Sequence, residues 1–445
     1  MTSLAEEVVS RKVTPLERSL VDACLGRAES GPSWLRERRK QALALLQGRG
    51  LPTQRDEAFR NLPWHALANQ AFSLGQGAVS SKALLGAEAV TSQGPVLWIV
   101  NGVAMTDAAQ VRGLRFLPLQ EAIESEALVR QHLGALCKTE NGFVAINDAA
   151  FSDGWCIITE PGAIVGCPVE LRIVESSAGR GTLSLPRVFV VVSEGSQLSL
   201  VERHFSGTDE NVLSSAVAEI LVERDATLRH SRWVEQGNST WSFAATTVRL
   251  DENAEYHSWS ATASGRLVRH DLSVRLAAKA AKATLDGLYY GRKGQVVDQH
   301  TRVWHEQPEG ETKECYRGVI EDEGRGIFDG IIYVGAGAMK TDARQENRNL
   351  LLGPSAIVHT KPHLEIDADD VSCSHGATVG QLDQEQVFYL RSRGIAENQA
   401  KQVLTWAFVK EIVDRCPEAG LRVDVERALS ASVEGTAPQS ERLGQ

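Results

Sequence analysis

The sequence lacks any run of about 18 uncharged apolar residues, which is the length that a membrane-spanning helix needs. Its first residues, MTSLAEEVVSRKV, mix acidic and basic side chains. They also lack the apolar segment and the small-residue cleavage site of a secretory signal. These absences predict a cytoplasmic protein that does not enter the membrane.

Paired cysteines are absent as well. The seven cysteines are odd in number, scattered along the chain and without a CxxC pair. This pattern does not suit a zinc ribbon or a disulfide framework, and it is typical of proteins from a reducing compartment. Most of the cysteines are therefore predicted to be small buried hydrophobic residues.

A surplus of positive charge is also missing. The chain has 57 acidic and 47 basic side chains, which gives a formal net charge of −10. Proteins that bind nucleic acid through its phosphates usually carry a basic face. The composition therefore predicts no nucleic-acid partner.

The 445 residues divide into regions whose residue patterns predict different secondary structure. Residues 1–140 read as mainly helical, and 141–380 as short alternating stretches rich in Val, Ile, Thr and Leu. Residues 381–432 read as helical again, with Asp383 as a helix cap and Gly394 as a helix end. The tail, 433–445, has a composition typical of disorder.

The middle region contains a repeat. A small residue precedes each apolar strand start at Gly195, Ala226, Ala254 and Ala283, with intervals of 31, 28 and 29 residues. A period near 30 with strand texture indicates a solenoid, in which each repeat buries its apolar face against its neighbours. A β-helix fits best, and a β-sandwich with evenly spaced hairpins is the alternative.

One segment, HTKPHLEIDADDVSCSH, concentrates possible metal ligands. Cys373 and His375 are two apart, so on a strand they share a face about 6.6 Å from one another. His359 and His363 would lie about 13 Å apart and could not both join that site without a bend. The pair Cys373 and His375 is therefore either part of a metal or cluster site, or a buried thiol beside an ordinary polar histidine.

Two other patterns suggest enzymes. YVGAGAMKTD places small residues before Lys340 but lacks the glycines that a phosphate-binding loop needs, so it is interpreted as a strand and turn. The acids Glu365, Asp367, Asp369 and Asp370 could serve a glycan-cleaving β-helix enzyme, but no cluster of aromatic sugar platforms lies nearby. Acids at the end of a solenoid more often form a solvated cap.

Several longer motifs resemble the SufB/SufD family of the SUF iron–sulfur cluster assembly system. They are GRGIFDGIIYV, MKTDARQENRNLLLGPSA, TKPHLEIDADDVSCSHGATVGQLDQEQVFYLRSRGI and AFVKEIV. SufB-type members carry Glu-His-Glu where this chain reads SCSHGAT, and a cysteine near the position of Asn347. The sequence is therefore similar to the SufD-type branch.

The resemblance implies a mainly β fold: a right-handed parallel β-helix flanked by N-terminal and C-terminal helical regions. It also implies a pairing with a SufB-like subunit through the β-helix ends, or a homodimer when the chain is isolated. Cys373 and His375 would lie at that interface, where iron or an iron–sulfur cluster would bind transiently rather than as a stable cofactor.

The resemblance further implies that a SufC-like ATPase docks on the C-terminal helices. The residues predicted to bind it are Tyr389, Leu390, Arg393, Gly394 and Phe408. The leading hypothesis is a non-catalytic scaffold subunit without a nucleotide site of its own. The alternatives are a β-helix polysaccharide lyase or hydrolase, and a stand-alone metalloprotein that uses Cys373 and His375.

Overall fold

The computed structural model describes residues 13–75, 92, 94–105, 110–137, 141–177, 181–207 and 210–433. The predicted disordered tail lies outside these residues, except for Val433, which is the last residue of a helix. Within the described residues, no helix is both long enough and apolar enough to cross a membrane.

Helices lie before and after a central block of strands. They are α1 (Pro15–Leu25), α2 (Ser33–Arg49), α3 (Trp64–Ala68), α4 (Leu119–Ser125), α5 (Ala127–His132), α6 (Gly142–Ala150), α7 (Gln384–Ser392), α8 (Glu397–Asp414) and α9 (Ala419–Val433), with a 3₁₀ helix at Glu57–Phe59. Helix α6 packs against α2 and α1. The predicted domain boundary at residue 140 therefore falls just before the last helix of the N-terminal helical group.

The strands begin within the N-terminal region and then dominate the chain. They are β1 (Ser73–Leu74), β2 (Val96–Val100), β3 (Val103–Met105), β4 (Leu114–Pro118), β5 (Trp155–Thr159), β6 (Val169–Glu175), β7 (Thr182–Ser184), β8 (Arg187–Val192), β9 (Gln197–Ser206), β10 (Val212–Val222), β11 (Thr227–Glu235), β12 (Thr240–Leu250), β13 (Glu255–Ser264), β14 (Leu267–Leu276), β15 (Lys282–Gly291), β16 (Val296–His305), β17 (Glu311–Ile320), β18 (Arg325–Val334), β19 (Thr341–Leu351), β20 (Ile357–Ile366) and β21 (Val371–Gln381).

Successive strands alternate between two sheets. The first sheet has the order β4-β5-β8-β10-β12-β14-β16-β18-β20, with β1 and β7 paired at its side, and the second has the order β3-β2-β6-β9-β11-β13-β15-β17-β19-β21. The pairs from β5 and β6 onward are parallel. The chain therefore winds as a β-solenoid of about eight turns. This confirms the predicted β-solenoid between helical regions, and parallel pairing rules out the antiparallel sandwich.

The strand register corrects one detail of the predicted repeat. Glu255 pairs with Lys282, so the small residue before each of these strands is Ala254 in one turn and Ala281 in the next. Both alanines are fully buried. Comparison of the repeats within the sequence placed this small residue at Ala283, two residues too late. The reason is that this turn is shorter than the others and alanine occurs at both positions.

One corner of the solenoid repeats a left-handed backbone conformation in every turn. The residues with positive φ at this corner are Gly162, Gly195, Asp225, Asn253, Ala280, Glu309 and Lys340. Each donates its backbone N–H to a carbonyl of the following turn, as Ala280 does to Pro308 at 3.0 Å. The corner therefore adds a column of hydrogen bonds between turns, and the turn residues accept an unfavourable φ to form it.

Replacing Ala280 with glycine should raise the free energy of unfolding by about 0.5–1 kcal/mol. The left-handed conformation costs an L-residue about 1–2 kcal/mol, and the added freedom of glycine in the unfolded chain offsets part of that gain. Ala281→Gly is the matched control, because Ala281 is fully buried and lacks a positive φ, so it should destabilise. Chemical denaturation checks both, and the same sign for the two variants would contradict the backbone explanation.

Three large apolar clusters among the described residues hold the solenoid and its helices together. Alternate side chains of both sheets point inward and form the interior cluster, which runs from Leu97 to Ala368. The N-terminal helices cover the outer face of the first sheet. The C-terminal helices α8 and α9 cover the outer face of the second sheet, where they meet two buried tryptophans, Trp233 and Trp259. Because β-branched side chains fill pleated sheets well, the Val- and Ile-rich middle region forms strands buried on both faces.

A buried ionic network joins the N-terminal helices to the solenoid. Arg187 on β8 is fully buried, and its guanidinium lies 2.6 Å from Asp148 and 2.9 Å from Asn147 of α6. It also lies 2.5 Å from Glu219 of β10. Glu219 accepts further hydrogen bonds from three backbone N–H groups in the segment 134–137. A single arginine therefore pairs with two buried carboxylates at this junction.

The C-terminal helices are attached to the second sheet by polar contacts as well as by packing. The indole N–H of Trp259 donates to the carbonyl of Ile412 at 2.8 Å, and Arg203 of β9 lies 2.5 Å from Asp424 of α9. Both contacts are buried. They fix α8 and α9 along the outside of the solenoid.

Candidate functional site

The solenoid ends at two exposed strands. β20 is the last strand of the first sheet and β21 is the last strand of the second sheet, so each has one unpaired edge among the described residues. Most residues of β21 are exposed, including Val379 at 47 %. An exposed strand edge is a template for pairing with another chain unless it is covered or interrupted. Here the edges of both sheets lie at the same end of the molecule.

Cys373 and His375 lie on β21, at this open end. Cys373 is half-buried and packs against the interior cluster, so alternation along the strand directs His375 to the same inward side. His375 is nevertheless exposed, because β21 belongs to the last turn. Burial raises the pKa of the Cys373 thiol. The pair therefore presents a protonated thiol and an accessible imidazole on one face at the end of the solenoid.

A buried polar column lies beneath His375. His375 is in register with Gln345 of β19, which is in register with Glu314 of β17. The Gln345 amide donates to Glu314 at 2.8 Å, and both side chains are buried. Burial raises the pKa of Glu314 to about 7, and hydrogen bonds from Thr301 and Gln345 limit the rise. Some inward positions near the open end are therefore polar, although apolar side chains of the interior cluster surround them.

Amide side chains tie the last turns together. Asn349 donates to Asn347 at 2.6 Å, and Thr360 of β20 donates to the same Asn347 carbonyl oxygen at 2.8 Å. Tyr289, from two turns earlier in the second sheet, donates to Asn349. These hydrogen bonds connect β20 with the second sheet. They also hold β19, the strand that pairs with β21 and its residues Cys373 and His375.

The two other histidines of the segment lie elsewhere. Val358 and Leu364 of β20 pack against the interior cluster, so alternation places His359 and His363 on the outer face of the first sheet. His363 pairs there with Glu365 at 3.3 Å. The described part of the chain contains no group of three or more His, Cys, Asp or Glu residues arranged to hold a metal. The four possible ligands are thus divided between two faces.

The patterns that suggested enzymes lie at solenoid corners and at the strand ends beside them. In YVGAGAMKTD, β18 ends at Val334, and Thr341 starts β19 after a turn in which its hydroxyl donates to the carbonyl of Ala338 at 2.8 Å. The acids Glu365, Asp367, Asp369 and Asp370 are all exposed. This arrangement agrees with the interpretation of the acids as a solvated cap.

The predicted ATPase-binding residues occupy two different settings. Tyr389 on α7 is 56 % exposed, Leu390 is half-buried, and the guanidinium of Arg393 lies 5.0 Å from the Tyr389 ring centre. Gly394 ends α7 with a φ of +87°. Phe408 on α8 instead packs partly against the outer-face cluster of the second sheet.

Sequence reasoning left Phe388 out of that set, although it is the most exposed apolar side chain of α7, at 70 %. Val387, its neighbour, is the buried contact of the helix. A helical wheel would have placed both on an apolar side without distinguishing them. Only the position of α8 beside α7 separates the buried residue from the exposed one.

The sequence profile described as "SUF system FeS cluster assembly, SufBD core domain" matches residues 173–408, which is more than half of the chain. The chain belongs to the SufBD family. The match begins within β6 and extends into α8, so it includes the open end, the Cys373 and His375 pair and α7.

Curated relatives of the SufBD family cover the chain to different extents. The iron-sulfur cluster assembly protein SufD of Escherichia coli is 31% identical over 405 residues, covering 89% of this chain and 93% of that protein. The chloroplastic protein ABCI7 of Arabidopsis thaliana is 32% identical over 63% of this chain and 60% of its own length. A SufBD family protein of Synechocystis is 29% identical over 67% of this chain and 68% of its own length. Within the SufBD family, the chain is therefore SufD-like.

Proposed function

We propose that this SufD-like chain is a non-catalytic scaffold subunit of an iron–sulfur cluster assembly complex. The observation that supports the proposal is the open end, where both sheets stop at exposed strands and an accessible histidine faces inward. A solenoid whose last strands are uncovered is well suited to pair with a second solenoid of the same kind. The partner that fits is a SufB-like subunit, or a second copy of this chain when that subunit is missing.

In such a pair, Cys373 and His375 would form one wall of a shared interface. Metal ligation requires a deprotonated thiol, and burial raises the pKa of Cys373 in the isolated chain. An imidazole ligates through a ring nitrogen and is the commonest metal ligand in proteins, so we assign His375 the leading role toward iron or a cluster that forms between the subunits. The cluster is cargo of the complex and not a resident cofactor of this chain.

The exposed side of α7 supports docking of a SufC-like ATPase. Phe388 and Tyr389 are 70 % and 56 % exposed on this short helix, and Val403 of α8 is 51 % exposed. Large apolar and aromatic side chains beside an arginine are typical of the energetic centres of protein interfaces. The ATPase would supply the nucleotide chemistry.

Co-purification of the full chain with SufB-like and SufC-like subunits tests the proposal. We expect a complex that contains all three chains, and a complex with the SufC-like ATPase alone when the SufB-like subunit is left out. Binding to neither subunit would refute the scaffold role. Deleting all of 383–430 is a poor test, because α8 and part of α9 cover Trp233 and Trp259 and their removal would expose the second sheet.

The double substitution Phe388→Asp and Tyr389→Asp should weaken binding of the SufC-like ATPase at least tenfold. The change removes two exposed anchors and adds charge that the partner's surface must desolvate. Val423→Asp on α9 is the matched control, because Val423 is 60 % exposed and lies on a different helix. Titration of the labelled ATPase gives both affinities, and equal losses for the two variants would place the docking site elsewhere.

A further inference from the structure

A cluster of ionisable side chains lies inside the early turns of the solenoid. Glu202 and His204 of β9 and His230 and Arg232 of β11 are each at most 3 % exposed. Glu202 lies 3.4 Å from the Nε2 atoms of both histidines and 3.9 Å from the Nε atom of Arg232. This cluster is many turns away from Cys373 and His375, and the proposed function does not use it.

The cluster borders a cavity between the two sheets. Glu202, His204 and Arg232 form its wall on the second sheet, and the wall on the first sheet includes small side chains such as Ala218 and Ala244. The cavity is about large enough for one water molecule. The charged side chains of its lining therefore come from the second sheet, whereas the first sheet contributes mostly apolar side chains together with Thr246.

Four polar atoms of the cluster have no hydrogen-bond partner among the described residues. They are Glu202 Oε1, His204 Nδ1, His230 Nε2 and Arg232 Nη2. Fully buried polar atoms are nearly always hydrogen-bonded, because leaving them unpaired costs a large desolvation penalty. The set contains an acceptor, Glu202 Oε1, a donor, Arg232 Nη2, and two imidazole nitrogens that can act in either role.

The chemistry of these atoms selects the ligand. His230 and His204 hold the pKa of Glu202 well below its usual range although burial opposes them, so a carboxylate faces the site and would repel an anion. Burial lowers the pKa of His204 to about 4, which keeps that ring neutral. The described residues contain no arrangement suited to a metal ion. A ligand that both donates and accepts is required.

We propose that the cavity binds one ordered water molecule that accepts a hydrogen bond from Arg232 Nη2 and donates one to Glu202 Oε1. A third hydrogen bond, to His204 Nδ1, completes the usual number for a buried water. The bound water would let charged and neutral groups share the interior of these early turns beside the apolar side chains of the interior cluster.

A crystal structure of the full chain, at a resolution that shows ordered water, tests the proposal. We expect a density peak between 2.6 and 3.2 Å from both Glu202 Oε1 and Arg232 Nη2, distances about those of ordinary hydrogen bonds. A second crystal soaked in sodium bromide should give no anomalous signal there. An empty cavity, or a bromide peak in it, would overturn the proposal.

Two alanine variants locate the peak. In Ala244→Val the added methyl groups enter the cavity, so the peak should disappear and the melting temperature should fall. Ala283→Val is the matched control, since Ala283 is also a buried alanine but does not line the cavity, and its crystal should keep the peak. Persistence of the peak in Ala244→Val would show that the water binds outside this cavity.

Discussion

Arg187→Met should lower the free energy of unfolding by about 3–5 kcal/mol, which is typical when one partner of a buried ion pair is removed. Asp148 and Glu219 would remain buried without their shared cation. Both carboxylates are at most 2 % exposed, so water cannot replace the guanidinium without opening the junction. We expect the N-terminal helices to separate from the solenoid before the solenoid itself unfolds. Urea denaturation followed by circular dichroism measures the loss.

Arg224→Met is the matched control for that experiment. Arg224 also pairs with a glutamate, Glu194, but both side chains are more than half exposed. Exposed pairs of this kind contribute little, about 0–1 kcal/mol. Losses within about 1 kcal/mol of each other in the two variants would contradict the central role of the buried network.

His375→Ala should leave the complex with SufB-like and SufC-like subunits assembled while reducing cluster formation about tenfold or more, the range seen when groups around a metal are removed. The reason is that His375 is exposed at the open end and takes little part in the packing of the isolated chain. Reconstitution with iron and sulfide, followed by visible absorbance, measures cluster formation. Gel filtration measures assembly.

His363→Ala controls for the loss of a histidine near the same end. His363 lies on the outer face of β20 and pairs with Glu365, so its removal should change neither assembly nor cluster formation. If His375→Ala dissociates the complex, His375 is a packing residue of the interface. If both variants form clusters normally, neither histidine takes part in the chemistry.

The solenoid was predictable because its determinants are local and repeated. The small residues at Ala226 and Ala254 precede strands in the sequence and also in the structure, one turn apart. Alternation within each strand then decides which side chains point inward. Turns of unequal length were not predictable in detail, since Ala281 and Ala283 are the same residue type and only pairing with the previous turn distinguishes them.

The interior polar cluster was not predictable from the sequence. Glu202 and His204, in the stretch LVERHF, read like the polar positions of any half-exposed strand. The buried carboxylate of Glu202 is compensated by contacts with Arg232 and His230 on the following turn. A carboxylate can be buried only when such partners are in place, and that information lies in the register and not in the local pattern.

The candidate site was predictable in part. Strand spacing predicted only that His359 and His363 could not both join the site of Cys373 and His375. In the structure the first two lie on β20 of the first sheet and the other two on β21 of the second sheet. Exposure of His375 could not be read from its neighbours, since it depends on β21 being the last strand of its sheet. The roles of Cys373, His375 and the α7 residues stay predictions until the variants above are measured.

The contact between Arg203 and Asp424 joins residues 221 positions apart in the sequence. During synthesis, Trp233 and Trp259 leave the ribosome long before the helices that cover them. Contacts of such long range form slowly, and uncovered apolar sheet surface is prone to aggregate in the meantime. The nascent chain therefore passes through a stage at which the strands have formed but the outer face of the second sheet is not yet covered by α8 and α9. A chaperone that binds this face would act only until α9 has been synthesised.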